Sequence, residues 1–103
     1  MARFVVLYRT PDNPTGFDAA YFGTHLPLVE ATPGLERAEV VKVARTIHGG
    51  PSLYLMATLH FPDDDTMRAA LRSPEWAAAG ENLQSFGGLD IATMFTVLDA
   101  GAH

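Results

Sequence analysis

The chain has 103 residues, 48% of them hydrophobic and only 18% charged, so it fits one domain (1–103) with more apolar surface than a core of that size can hide. It contains no cysteine, which excludes disulfides, thiolate metal sites and cysteine nucleophiles. A net charge of −5, with seven Lys and Arg spread thinly, offers a phosphate backbone no basic patch, and no stretch approaches the ~20 apolar residues of a membrane helix, so neither nucleic acid nor membrane is expected as a partner.

In chain order, Arg3 to Arg9 is a β-rich run closed by the turn signal Thr10-Pro11-Asp12-Asn13-Pro14. Its apolar part, Phe4 to Tyr8, is too short for a signal-peptide core; with the lack of cysteine, this reads as a cytoplasmic protein. Phe17, Tyr21, His25 and Leu28 then recur at helical spacing, with Asn13 or Thr15 as cap, and Pro33-Gly34 ends the helix. Pro27 removes a backbone donor and clashes with the Gly23 carbonyl, so a bend is expected at His25 to Pro27.

Leu35 to Ile47 reads as a second strand, partly charged as an edge strand should be, and His48-Gly49-Gly50-Pro51 turns it into a third from Leu53 to Phe61. Asp63 to Arg72 is a helix; Ser73-Pro74-Glu75 restarts it with serine at the cap and proline at the first helical position. Asp63-Asp64-Asp65 could suggest a divalent metal, but three carboxylates before an apolar helical pattern read better as the acidic entry to a helix. The last strand runs from about Leu89 to Leu98, and residues 99–103 form a loose tail.

The order βαββαβ is the ferredoxin-like α+β arrangement, with helices on one face of an antiparallel sheet. Its strands are apolar on both sides. Phe4, Val6 and Tyr8 oppose Val5 and Leu7; Leu53, Leu55, Ala57, Leu59 and Phe61 oppose Tyr54, Met56, Thr58 and His60; Ile91, Thr93, Phe95 and Val97 oppose Ala92, Met94, Thr96 and Leu98. An antiparallel sheet with one wet face alternates cleanly, and this one does not. The helices of one chain cover one face only, so a second copy is expected on the other, as a homodimer. The less uniform set, Tyr54, Met56, Thr58 and His60, reads as the lining of that shared interior, with Met94 added as a pocket residue for a flat apolar or aromatic small molecule; barrel core is the alternative for Tyr54, Met56 and Met94, and a half-exposed strand-end filler for His60.

Tyr21 and His25, four residues apart, lie on one helix face, so phenol and imidazole can flank one site. Imidazole titrates near neutrality and can act as acid or base without a cofactor. The competing reading is a partly buried histidine bonded to the carbonyl that Pro27 frees. Trp76 is a packing anchor or dimer contact, His48 lies in a turn, and Arg9 and Arg45 could meet an anionic group or pair on the surface.

Leu7-Tyr8, Pro11-Asp12, Phe17-Asp18, the tyrosine with His25-Leu26-Pro27-Leu28, Pro33-Gly34-Leu35, Phe61, Ser73-Pro74-Glu75 and Phe86-Gly87-Gly88 occur in that order over nearly the whole chain. Together they resemble the EthD family, proteins associated with ethyl tert-butyl ether degradation. The resemblance implies a dimeric α+β barrel, with kinship to cofactor-free monooxygenases, polyketide cyclases, muconolactone-type isomerases and haem-handling enzymes. It implies His25 as the characteristic helix histidine. The chain departs from the family's pattern at Gly80 to Asn82, where an aspartate is expected before Leu83, so no role carries over to the end of that helix. The expected function is binding or cofactor-free turnover of a small, largely apolar oxygenated compound, with His25 and Tyr21 as catalytic pair and no metal. The alternatives are a non-catalytic ligand-binding or accessory protein and, behind it, a haem binder with His25 as axial ligand.

Overall fold

A computed structural model describes residues 1–100, and the rest of the expected loose tail, 101–103, lies outside the described residues. Strand β1 (Ala2–Arg9) leads to helix α1 (Pro14–Ala20), whose N-cap Asn13 accepts the Gly16 amide through Oδ1 at 3.1 Å. The helix continues through one wide π-turn, Tyr21–His25, into α2 (Leu26–Glu30). Pro27 has no N–H to offer and its ring crowds the preceding turn; the chain answers by widening, and the Leu26 amide reaches back five residues to the Tyr21 carbonyl. The expected irregularity is therefore there, as a π-turn before Pro27.

Strand β2 (Arg37–Lys42) is shorter than expected: after the Val43 amide bonds the Tyr54 carbonyl, the chain leaves the sheet for the turn at Gly49 and Gly50. β3 (Leu53–Phe61) has the expected limits. Helix α3 (Asp64–Ala70) is capped by Asp63, whose carboxylate accepts the Thr66 amide at 2.7 Å, and Asp64 pairs with Arg68 at 2.8 Å. Two members of the acidic run thus serve the helix end. Helix α4 (Pro74–Ser85) begins on the Ser73 cap, with Pro74 in the first turn. Each such cap contributes about 1 kcal/mol. A short 3₁₀ turn, Leu89–Ile91, replaces the expected start of the last strand, and β4 runs Ala92–Leu98. The connection is tight because Gly88 lies under Leu83: a Cβ there would sit 2.3 Å from Leu83 Cδ1.

The sheet order is β2-β3-β1-β4, all neighbours antiparallel, which is the ferredoxin-like fold. The register places Phe4 opposite Leu59 and Thr96, Val6 opposite Ala57 and Met94, and Tyr8 opposite Leu55 and Ala92. Phe4, Val6, Tyr8, Leu55, Ala57 and Leu59 face the helices and form the core with Phe17, Tyr21, Val29, Met67, Ala79 and Leu83, while Met94 and Thr96 on the same side of β4 stay exposed. The other face carries Val5, Leu7, Met56, Thr58, His60, Val41 and Phe95, and among the described residues no helix packs on it. Val41 and Phe95 remain 48% and 42% exposed there, the unspent apolar surface that the composition signalled.

Candidate functional site

A cavity of about 160 Å³ lies between the helices and the sheet. Phe4, Val6, Ala57, Leu59 and Met94 form its sheet side; Tyr21, His25, Trp76, Ala79 and Gly80 close it from the helices. Among the described residues, none that lines it is an acid, a lysine or an arginine. Its polar side-chain groups are the Tyr8 and Tyr21 phenols, the His25 ring and the Trp76 indole N–H.

Tyr8 projects from the end of β1 and Tyr21 from the π-turn, their rings edge to face with centroids 5.4 Å apart. Phe17 stacks on Tyr21 at 5.6 Å and meets Tyr8 edge-on at 5.5 Å, which fixes both phenols. Burial, reinforced by the neighbouring Tyr21, raises Tyr8 far above the ordinary phenol range; burial pushes Tyr21 up to about 12, against a hydrogen bond from Tyr8 that works the other way. Both therefore stay protonated at neutral pH. A phenol that accepts from its neighbour keeps its own O–H to donate elsewhere.

His25 is 4% exposed, with its ring 5.3 Å from Tyr21 and 6.1 Å from Phe86. Burial holds its pKa below the ordinary value, outweighing the Asn82 side chain and the Ala79 carbonyl of α4, which both favour the protonated ring. Neither pulls hard, since His25 Nδ1 and Asn82 Oδ1 are each buried without a partner in hydrogen-bonding geometry. The carbonyl freed by Pro27 is not what engages this ring; α4 is. A neutral imidazole keeps one ring nitrogen with a lone pair, so the ring can accept a proton. An uncharged base and a phenol donor thus share one wall of an apolar chamber.

The structure brings together Tyr21, His25 and Met94 and separates them from the other expected binding residues. Met94 pairs with Val6 and reaches the cavity from β4. Met56, Thr58 and His60 project from the far side of the sheet, and the cavity contains none of them. His60 instead holds Glu39 on β2, with Nε2 at 2.5 Å from Oε1. Tyr54 departs for a different reason. The register slips between Tyr8 and Arg9, so Tyr54 has no partner on β1 and turns to the helix side. There its hydroxyl bonds both carboxylate oxygens of Asp18, at 2.8 and 2.9 Å, and Lys42 joins them at 3.0 Å from Asp18. Those bonds hold Asp18 below the usual carboxylate range. Arg9 donates to the Asp90 carbonyl, a structural contact.

Sequence reading missed Tyr8, Trp76, Gly80 and Asn82. A phenol inside an otherwise hydrocarbon strand and a glycine inside a helix were the available signals. Asn82 had none, since its partner lies 57 positions away. A haem macrocycle does not fit: a cavity of about 150 Å³ takes a ligand the size of benzene.

Fold and site together define a small ferredoxin-like α+β protein with a helix-covered apolar cavity and one histidine in its wall. The sequence profile of the EthD domain matches residues 12–86, and the chain belongs to the EthD family. An uncharacterized 11.0 kDa protein from the thcB–thcC intergenic region of Rhodococcus erythropolis is 30% identical over 96 residues, 93% of each chain. The crystal structure of an ethyl tert-butyl ether degradation (EthD) family protein from Bacillus halodurans is similar with TM-score 0.87 and 29% identity, covering 96% of this chain and 98% of that one. SnoaB, a cofactor-independent oxygenase from Streptomyces nogalater, shares the fold at TM-score 0.61 and 17% identity, over 98% of this chain and 94% of its own. Several further ferredoxin-like structures, at TM-scores of 0.60 to 0.70, are described as dimeric. Among the described residues no helix is long and apolar enough to cross a membrane.

Proposed function

We propose that this protein works in the cytoplasm as a homodimer, binding a small, largely apolar oxygenated compound under its helices and moving a proton of that compound through His25. One observation carries the reading. A buried imidazole held neutral stands beside a protonated phenol in the wall of a cavity with no charged lining residue.

The neutral His25 ring takes a proton from a carbon or oxygen of the bound compound, and the electron pair left behind settles on the compound's oxygen. Tyr21 donates its O–H to that developing oxyanion. Return of the proton from the imidazolium to a different atom completes an isomerisation or a ring closure, and the step balances as a proton transfer with no redox partner. General base catalysis of this kind supplies about 10²- to 10⁴-fold, and one well-placed oxyanion donor about 10²- to 10³-fold. The fold shared with a cofactor-independent oxygenase supports the class of chemistry by analogy alone.

The homodimer is proposed to stack the open sheet faces into an α+β barrel, covering Val5, Leu7, Met56 and Phe95. Apolar residues on both faces and helices on one face support it.

Exchange of the α-hydrogens of cyclohexanone in D₂O, followed by proton NMR, tests the chemistry without a known substrate. The protein accelerates exchange; His25→Ala abolishes the acceleration and Tyr21→Phe lowers it at least tenfold. Equal exchange by wild type and His25→Ala, with cyclohexanone still bound, leaves a binding protein without proton chemistry.

A further inference from the structure

The cavity is the size of a single ring: about 160 Å³, against the ~150 Å³ that accommodates benzene. Most of its wall is hydrocarbon and aromatic, with Phe4 and Trp76 packed edge to face at 4.9 Å on one side. The Tyr21 phenol and the His25 ring stand together in that wall, their centroids 5.3 Å apart. Among the described residues no cationic side chain lines it, so a carboxylate or phosphate brought inside would lose its water and gain no counter-charge.

Gly80 adds a second, independent observation. It stands in the middle of α4, where glycine is a poorer helix former than alanine. Helix packing does not require it, because a Cβ at Gly80 would meet no atom within 4 Å. It lines the cavity, so what its missing side chain preserves is room.

Resting on the reading of this cavity as the binding site, we infer that its ligand class is a neutral, single-ring hydroxylic compound, a phenol or cyclic enol, whose O–H pairs with His25 while its oxygen accepts from Tyr21 and its ring lies over the apolar floor. A hydroxyl is both donor and acceptor, and so matches an acceptor imidazole and a donor phenol at once. A ring hydrocarbon fills the same space but leaves both groups unpaired. A ring carboxylate supplies no donor and carries a charge that nothing in the wall balances.

Trp76, the single tryptophan of the chain, stands in the wall and reports occupancy by its fluorescence. Phenol, toluene and benzoate are titrated into the wild-type protein, Gly80→Leu and His25→Phe, with calorimetry as a second readout. Phenol binds; toluene binds at least tenfold more weakly; benzoate does not bind. Gly80→Leu, a substitution that strengthens the helix, weakens phenol at least tenfold, and His25→Phe brings phenol and toluene to the same affinity. Toluene or benzoate binding the wild type as tightly as phenol overturns the ligand class while leaving the site in place. Binding of phenol undisturbed by Gly80→Leu, or no binding by any of the three, overturns the site itself.

Discussion

His25 Nδ1 and Asn82 Oδ1, carried by two helical segments packed together, are both buried and neither has a hydrogen-bond partner. The asparagine is neutral, so the imidazole it adjoins gains little from it and stays unprotonated. Asn82→Asp puts a carboxylate there, which favours the imidazolium. The expected outcome is a rise in the His25 pKa, read by NMR titration of the ring, and a move to higher pH of the limb on which base activity is lost. An unchanged His25 titration contradicts the role given to Asn82.

The same depressed pKa makes stability pH-dependent. Below the ordinary value of 6.5 the unfolded chain binds a proton at His25 that the folded chain refuses, so stability falls as pH drops from there to the folded pKa and then levels off. Asp18 and Asp63 act in a separate, more acidic window: their folded values lie below 3.8, and their contribution is present above that and lost as pH falls through the folded values. Urea unfolding across pH 5 to 7 is expected to show the first slope in wild type and to lose it in His25→Gln.

Tyr54→Phe removes both bonds to Asp18 while leaving the ring against Phe17. A loss of about 1 kcal/mol in unfolding free energy and an upward shift of the Asp18 pKa are expected, with phenol affinity unaltered. Weakened phenol binding returns Tyr54 to the binding site.

Gly80→Ala is expected to raise stability by up to about 1 kcal/mol, since the helix gains and nothing is displaced. A destabilised variant, by chemical denaturation, contradicts the open space beside α4.

Phe95→Glu places a charge on the uncovered sheet face, on edge strand β4 opposite Val5. Analytical ultracentrifugation at micromolar concentration is expected to give a dimer for the wild type and a monomer for the variant. A monomeric wild type removes the proposed barrel.

The alternation of the strands was legible because side chains on a strand have a period of two, and pairing preserves it: Phe4, Val6 and Tyr8 share one face with Leu55, Ala57 and Leu59. The less uniform set of β3 was expected on the face shared with a second copy, away from the helices, and Met56, Thr58 and His60 lie on that face. Met94, read with them, lies on the helix side instead, because its pairing with Val6 sets the alternation of β4. The helices sit on the side with the larger aromatics, Phe4 and Tyr8, and the cavity follows them. Tyr54 followed the alternation until the register slip at the strand's start, a feature set by pairing across the sheet. Pro27 announced a disturbed helix, yet its resolution as a π-turn depends on Tyr21 and His25 packing inward together. The pair itself was legible from four-residue spacing; its support by Asn82 is long-range and leaves no local trace.

Two histidines distinguish the two faces, His25 on the cavity and His60 on the opposite side of the sheet. Histidine-selective ¹⁵N NMR with phenol added in steps therefore tests the central claim most directly. The account predicts that a ring-nitrogen resonance of His25 moves with saturation as it accepts the phenol hydroxyl, while His60 stays in place. Movement of His60 with His25 unchanged puts binding on the other face and contradicts it.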